Sequence, residues 1–114
     1  MNKALIKLLV TMTLCAGSIL ALPSTKAADL KAGQRAFDAN SCSSCHALSA
    51  STIGPSLKDI ARRYKGKPVA LELAQRIRAG SVGRWGGVPH PAYEGLDEDN
   101  AVIIAEWILG GAPR

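Results

Sequence analysis

The string Cys42-Ser43-Ser44-Cys45-His46 carries the residue types best suited to chemistry. Two thiols separated by two residues and followed at once by an imidazole form the c-type haem attachment pattern. The spacing has a mechanical reason. Thiols three positions apart on a helical turn can meet the two vinyl groups on one edge of a porphyrin and become thioethers. The next residue, His46, then projects beneath the ring toward the iron as proximal axial ligand.

Three other chemistries draw on the same residues and explain less. A thioredoxin-like redox pair wants a strand–helix context, and no strand pattern precedes Cys42. A zinc site could recruit Cys42, Cys45, His46 and His90, but adjacent Cys45 and His46 are awkward ligands for one tetrahedral ion. A structural disulfide between Cys42 and Cys45 would close a tiny loop, barely restrict the unfolded chain, and leave His46 unexplained.

The other side of the iron needs a ligand as well. The only Met residues are Met1 and Met12, both in the N-terminal segment read below as removed, and the only other His is His90. His90 lies in Val88-Pro89-His90-Pro91, where the flanking prolines stiffen the chain. By elimination it is the candidate distal axial ligand. The alternative is an exposed loop His, with the iron open or bound by an amine.

The N-terminus reads as an export signal. Lys3 and Lys7 precede an apolar run from Leu8 to Leu22, and Thr25-Lys26-Ala27 places small residues at positions −3 and −1 of a cleavage site. The expected organisation is a cleaved signal peptide over 1–27 and one domain over 28–114. An uncleaved anchor fits less well, because the apolar run is short of the roughly 20 residues of a span and is diluted by Thr11, Thr13 and Ser18. No stable membrane insertion is expected after cleavage, and the location is periplasmic. Cys15 leaves with the peptide. The whole chain is formally +5. Cleavage removes Lys3, Lys7 and Lys26, leaving 11 basic and 9 acidic residues, too little charge for a nucleic-acid binder.

The remaining 87 residues hold five aromatics, a thin core for a chain of this size. A chain that small often needs a disulfide, a metal or a cofactor to hold it. Four helices are expected to surround the centre. The first runs from Asp29, its cap, to Asn40, with Leu30, Gly33 and Phe37 on one face. The second spans Ser56 to Tyr64, opened by Ser56 with Asp59 three residues on, and striped by Leu57, Ile60, Ala61 and Tyr64. The third spans Pro68 to Ala79, with Pro68 in the first turn, Gly80 as the stop, and Glu72 paired with Arg76 on the exposed side. The fourth spans Asp97 to Leu109, with Asp97, Glu98 and Asp99 at its positive end and Gly110-Gly111 closing it. Between the last two, Gly83, Gly86, Gly87, Pro89 and Pro91 forbid a regular element from Ser81 to Gly95. A loop of that length in so small a domain is usually functional.

With these features the chain resembles the class I monohaem cytochromes c, in particular the short soluble bacterial type that feeds nitrite reductases and terminal oxidases. The likeness covers essentially all of residues 28–114. It implies an all-α class I cytochrome c fold, about four helices wrapped around one covalently bound haem c. It also implies that Gly33 and Phe37 pack against Trp107 of the last helix. Gly54-Pro55 resembles the family's turn after the haem motif, where the Pro carbonyl accepts a hydrogen bond from the proximal imidazole, here His46. Trp85 matches a Trp that reaches a haem propionate. In relatives of this type a Met follows that Trp by five residues, between prolines. Here His90 holds that register, so the ligand type has changed. Imidazole favours ferric iron more than a thioether does, so a lowered potential is expected.

Charge is segregated. Lys58 to Arg84 carries eight basic and two acidic residues, whereas Trp85 to Arg114 carries one basic and five acidic. The patch Arg62-Arg63-Tyr64-Lys65-Gly66-Lys67 could steer an acidic redox partner or simply suit a helix C-terminus. The leading function is a periplasmic electron carrier, not an enzyme, since no general base or nucleophile constellation is present. The alternatives are a haem c subunit of a larger oxidoreductase, or a gas-binding or sensor haem protein should His90 not ligate.

Overall fold

A computed structural model describes residues 25–114. The predicted signal peptide lies largely outside the described residues, and its expected cleavage point after Ala27 falls in the first turn of the first helix. Among the described residues four α-helices follow one another: α1 (Thr25–Ala39), α2 (Leu57–Arg63), α3 (Ala70–Ala79) and α4 (Glu98–Leu109). A short 3₁₀ turn at Cys42–Ser44 follows α1. Among the described residues there is no strand, only two isolated antiparallel pairs, His46 with Ser51 and Ser81 with His90.

Capping sets where α2 and α4 begin. The Ser56 hydroxyl accepts from the Asp59 amide at 3.0 Å, and the Asp97 carboxylate accepts from the Asn100 amide at 2.8 Å. Both satisfy an amide that the helix leaves without a partner. The expected starts of the other two helices need correction. With residues 25–27 present, α1 runs from Thr25, and Asp29 lies inside the helix rather than at its start. α3 begins at Ala70, with Pro68 outside. Val69 sits at φ −112° and ψ 13°, away from helical values, so the first turn forms only beyond it. α4 closes as expected: Gly111 takes φ +93°, and the Ala112 amide donates back to Trp107 O at 2.9 Å, a helix stop that glycine permits.

α4 is the central beam, with α1, α3 and α2 packed on it. Gly33 decides how close α1 comes. A Cβ there would lie 2.4 Å from Trp107 Cβ and 2.7 Å from the Ile103 carbonyl oxygen, so only glycine admits this crossing. One turn on, Phe37 meets the Trp107 ring at 5.1 Å between centroids and a 53° tilt, a favoured aromatic geometry. The Trp107 Nε1–H donates to Pro113 O at 3.0 Å, so the buried indole keeps a partner. Among the described residues ten apolar ones are buried and four of these are Ala, while the larger side chains Ile60, Leu73 and Ile77 are only partly buried at the edge of the core. Those edges face an open cleft.

Candidate haem site

The attachment string folds as one tight turn. Ser41 enters it in the left-handed region at φ 58°. The Cys45 and His46 amides both return to Cys42 O, at 3.2 and 3.0 Å. The chain then doubles back on Cys45 O, which accepts from the Gly54 amide at 2.9 Å and the Thr52 hydroxyl at 2.7 Å. Cys42 and Cys45 are left as half-buried thiols on the wall of the cleft. Before haem is attached, burial pushes the Cys42 thiol up, opposed by its own backbone hydrogen bond and helped by Asp38 and Cys45.

His46 is aimed from two sides. Its Nδ1 lies 2.7 Å from Pro55 O, so this nitrogen carries the proton and donates it, leaving Nε2 as the free lone pair. Gly54 provides the space. A Cβ there would stand 2.6 Å from Cε1 and 2.9 Å from Nδ1 of His46. Sequence reasoning marked Gly54 only as part of a turn.

His90 faces this imidazole from the opposite wall. The two ring centroids are 6.1 Å apart and the planes differ by 31°. Two imidazoles sharing one metal through Nε2, each at a bond of about 2.0–2.1 Å, hold their centroids about 6 Å apart. His90 Nδ1 lies 2.8 Å from Pro91 O, so its free nitrogen is again Nε2. Burial, reinforced by repulsion from His46 and opposed by the Pro91 carbonyl, holds the His90 pKa below its usual value, which favours the neutral, ligating form. Neither the Pro91 carbonyl nor Tyr93, whose ring lies 6.0 Å from that of His90, was singled out from sequence. The Pro flanking His90 was the one signal available for the first.

His90 is held by its backbone too. Its amide donates to Ser81 O at 2.8 Å, and its carbonyl accepts from the Ser81 amide at 3.2 Å. Gly80, at φ +79°, permits this pairing, since a Cβ there would strike His90 O at 2.9 Å.

Cys42, Cys45, His46, Pro55, Trp85 and His90 all line this one open cleft. Its apolar wall includes Phe37, Ile60, Leu73, Ile77 and Ile108. The cleft thus offers two thiols beside one imidazole, a second imidazole opposite, and a greasy wall between, the donor set and shape that haem c requires. The zinc alternative has no support in the geometry: among the described residues no group of three or more His, Cys, Asp or Glu gathers as metal ligands.

Two expectations at the rim are refined. The Glu72–Arg76 pair forms, but it is not simply exposed. The Arg76 side chain is only 18% accessible, and its Nη1 reaches the Tyr64 hydroxyl at 3.3 Å on the cleft side. Trp85 lies at the mouth with the Arg63 guanidinium 4.3 Å above its ring centroid, a stacking that sequence reading did not anticipate.

Helices crossing on a central α4, with a CxxCH turn beneath an apolar cleft, define a small class I monohaem cytochrome c. The cytochrome c family model matches residues 30–112, and the chain belongs to that family. Its cofactor is one covalently bound haem c. The chain is 40% identical over 74 residues to cytochrome c-551 of Pseudomonas aeruginosa, covering 64% of this chain and 70% of that one. It is 36% identical over 104 residues to cytochrome c-551 of Stutzerimonas stutzeri, covering 90% and 95%. The crystal structure of Nitrosomonas europaea cytochrome c552 superposes with a TM-score of 0.63 at 38% identity, covering 66% of this chain and 94% of that one. These relatives are small c-type cytochromes, proteins of electron transfer.

Proposed function

We propose that the protein is a periplasmic electron carrier whose single haem is ligated by two histidines. Cys42 and Cys45 supply the thioether tethers, His46 the proximal ligand and His90 the distal one. The observation that carries this reading is the facing imidazole pair, 6.1 Å between centroids, with each Nδ1 engaged by a backbone carbonyl. Such a tie orients the ring and makes the free nitrogen a better donor.

Bound haem supplies reversible one-electron chemistry. The chain's own residues do the rest. The apolar wall keeps water from the cleft and preserves the low dielectric that sets the potential. Two neutral imidazoles stabilise ferric iron more than a thioether would, so the potential lies below that of a Met-ligated relative. Trp85 at the mouth is suited to donate to a propionate. With one His committed to each side of the iron, no general base or nucleophile remains, and the protein is not an enzyme on its own. The patch from Arg62 to Lys67 provides positive potential for an acidic redox partner, an attraction that salt screens. Export rests on the signal peptide read over 1–27. No helix among the described residues is long and apolar enough to cross a membrane.

The test is a visible and near-infrared spectrum of both oxidation states, with His90 variants. Wild-type ferric protein should be low-spin and lack the weak far-red band given by Met sulfur. His90→Met should raise the potential, and His90→Ala should give high-spin iron. A high-spin wild type, or an unchanged spectrum in His90→Ala, would overturn the two-histidine ligation and bring the gas-binding reading forward.

A further inference from the structure

We infer that Arg63 is a positioning residue for His90: from the end of α2 it latches the tip of the loop that carries this ligand, and so controls how readily small exogenous ligands reach the iron. The inference rests on the proposed ligation by His90.

The loop from Ser81 to His90 is closed at its base and nearly untethered beyond it. The base is the two-hydrogen-bond pairing of Ser81 with His90. Between them, residues 82–89 are all exposed. Gly83 and Gly86 adopt φ +70° and +97°, and no atom lies within 4 Å of where a Cβ of Gly83, Gly86 or Gly87 would stand. Chain of this composition gains much conformational freedom when released.

Among the described residues, one side chain from elsewhere in the fold ties this tip by a hydrogen bond. Arg63 Nη1 donates to Arg84 O at 2.6 Å, and the same guanidinium lies 4.3 Å from the Trp85 ring centroid. A planar, delocalised cation can stack and donate at once, which an ammonium cannot do equally well. The neighbouring Arg62 carries the same charge but faces another way. It pairs with Asp59 of its own helix, and its side chain is 74% accessible. The two arginines therefore separate a latch from a mere contribution to the basic patch.

For an outside ligand to bind, His90 must leave the iron, and the loop must swing on its glycines. Releasing the tip favours that opening, while Pro55 and the attachment turn hold the His46 side unchanged. The exchange swaps neutral imidazole for cyanide, which binds as the anion: hydrogen cyanide, the main form at neutral pH, gives its proton to solvent, and the iron stays ferric.

The experiment measures cyanide binding to ferric holoprotein at neutral pH by stopped-flow absorbance, for wild type, Arg63→Ala, Arg63→Lys and Arg62→Ala. In parallel, trypsin cleavage after Arg84 is timed. Arg63→Ala should bind cyanide about tenfold faster, the equivalent of about 1.4 kcal/mol, and be cut faster after Arg84. Arg63→Lys should fall between, and Arg62→Ala should match wild type. Equal rates in Arg63→Ala and wild type, or the same acceleration in Arg62→Ala, would overturn the latch. A high-spin wild type would instead remove the His90 ligation. The trypsin arm needs no iron ligand and judges the latch separately.

Discussion

Gly54→Ala tests the aiming of His46 directly, because the Pro55 carbonyl itself belongs to the backbone and cannot be substituted away. The new Cβ would stand 2.6 Å from Cε1 and 2.9 Å from Nδ1 of the imidazole, where ordinary contact begins at 3.4 Å. Something must yield by about 0.8 Å. The backbone is poorly placed to do so, since the Gly54 amide donates to Cys45 O at 2.9 Å and its carbonyl accepts from the Thr52 amide at 3.0 Å. The ring therefore retreats, and its Nδ1 moves from 2.7 Å to as much as about 3.5 Å from Pro55 O, beyond a useful N–H···O bond. Loss of the bond costs about 1 kcal/mol and overpacking about 1–3 kcal/mol, together about 2–4 kcal/mol. For a domain of this size that lowers Tm by roughly 10–25 °C. An imidazole without its acceptor is also a weaker donor, so the potential should rise. Denaturant unfolding of the holoprotein measures the first effect. Proton NMR of the ferrous protein reads the second, through the His46 Nδ1–H resonance and its exchange with solvent. Gly95→Ala is the control, since nothing lies within 4 Å of that Cβ, and it should stay within about 0.5 kcal/mol of wild type. A Gly54→Ala protein as stable as this control, with its Nδ1–H still slow to exchange, would refute the reasoning.

Gly33→Ala should cost about 1–3 kcal/mol in denaturant unfolding, despite alanine's higher helix propensity, because its Cβ meets Ile103 backbone and the root of the Trp107 side chain. The Asn100 amide and side chain hold the Asp97 carboxyl below its usual range. That contribution to α4 is present above the unfolded pKa and is lost as pH falls through the lower folded one, so Asp97→Asn should flatten the acid arm of a Tm-against-pH curve while keeping a competent cap at neutral pH. Haem removal should leave a largely unfolded chain, because the partly buried Ile60, Leu73 and Ile77 would face water across the cleft. A cooperatively melting, native-like apo form by circular dichroism would contradict this.

What the sequence determined by itself was local or subtractive. The CxxCH string, the caps at Ser56 and Asp97, the apolar stripes and the Gly110-Gly111 stop each depend on neighbours within a turn or two, so spacing alone reveals them. Loss of both Met residues with the predicted leader singles out His90 by elimination. Helix edges depart from the sequence pattern where backbone angles compete, as at Val69, or where helix continues past a residue able to cap it, as at Asp29. Tertiary structure decided everything that depends on how the helices cross. Spacing said that Glu72 and Arg76 are neighbours, but the rotation of α3 turned Arg76 toward Tyr64 and the cleft. The 6.1 Å meeting of His46 and His90, 44 residues apart, follows from the close approach of α1 to α4 at Gly33 and from the pairing of His90 with Ser81 beyond α3. The Arg63 stack on Trp85 and the contact of Gly54 with an imidazole face arise the same way. No periodicity encodes them, because they join elements whose relative position is set by packing rather than by distance along the chain.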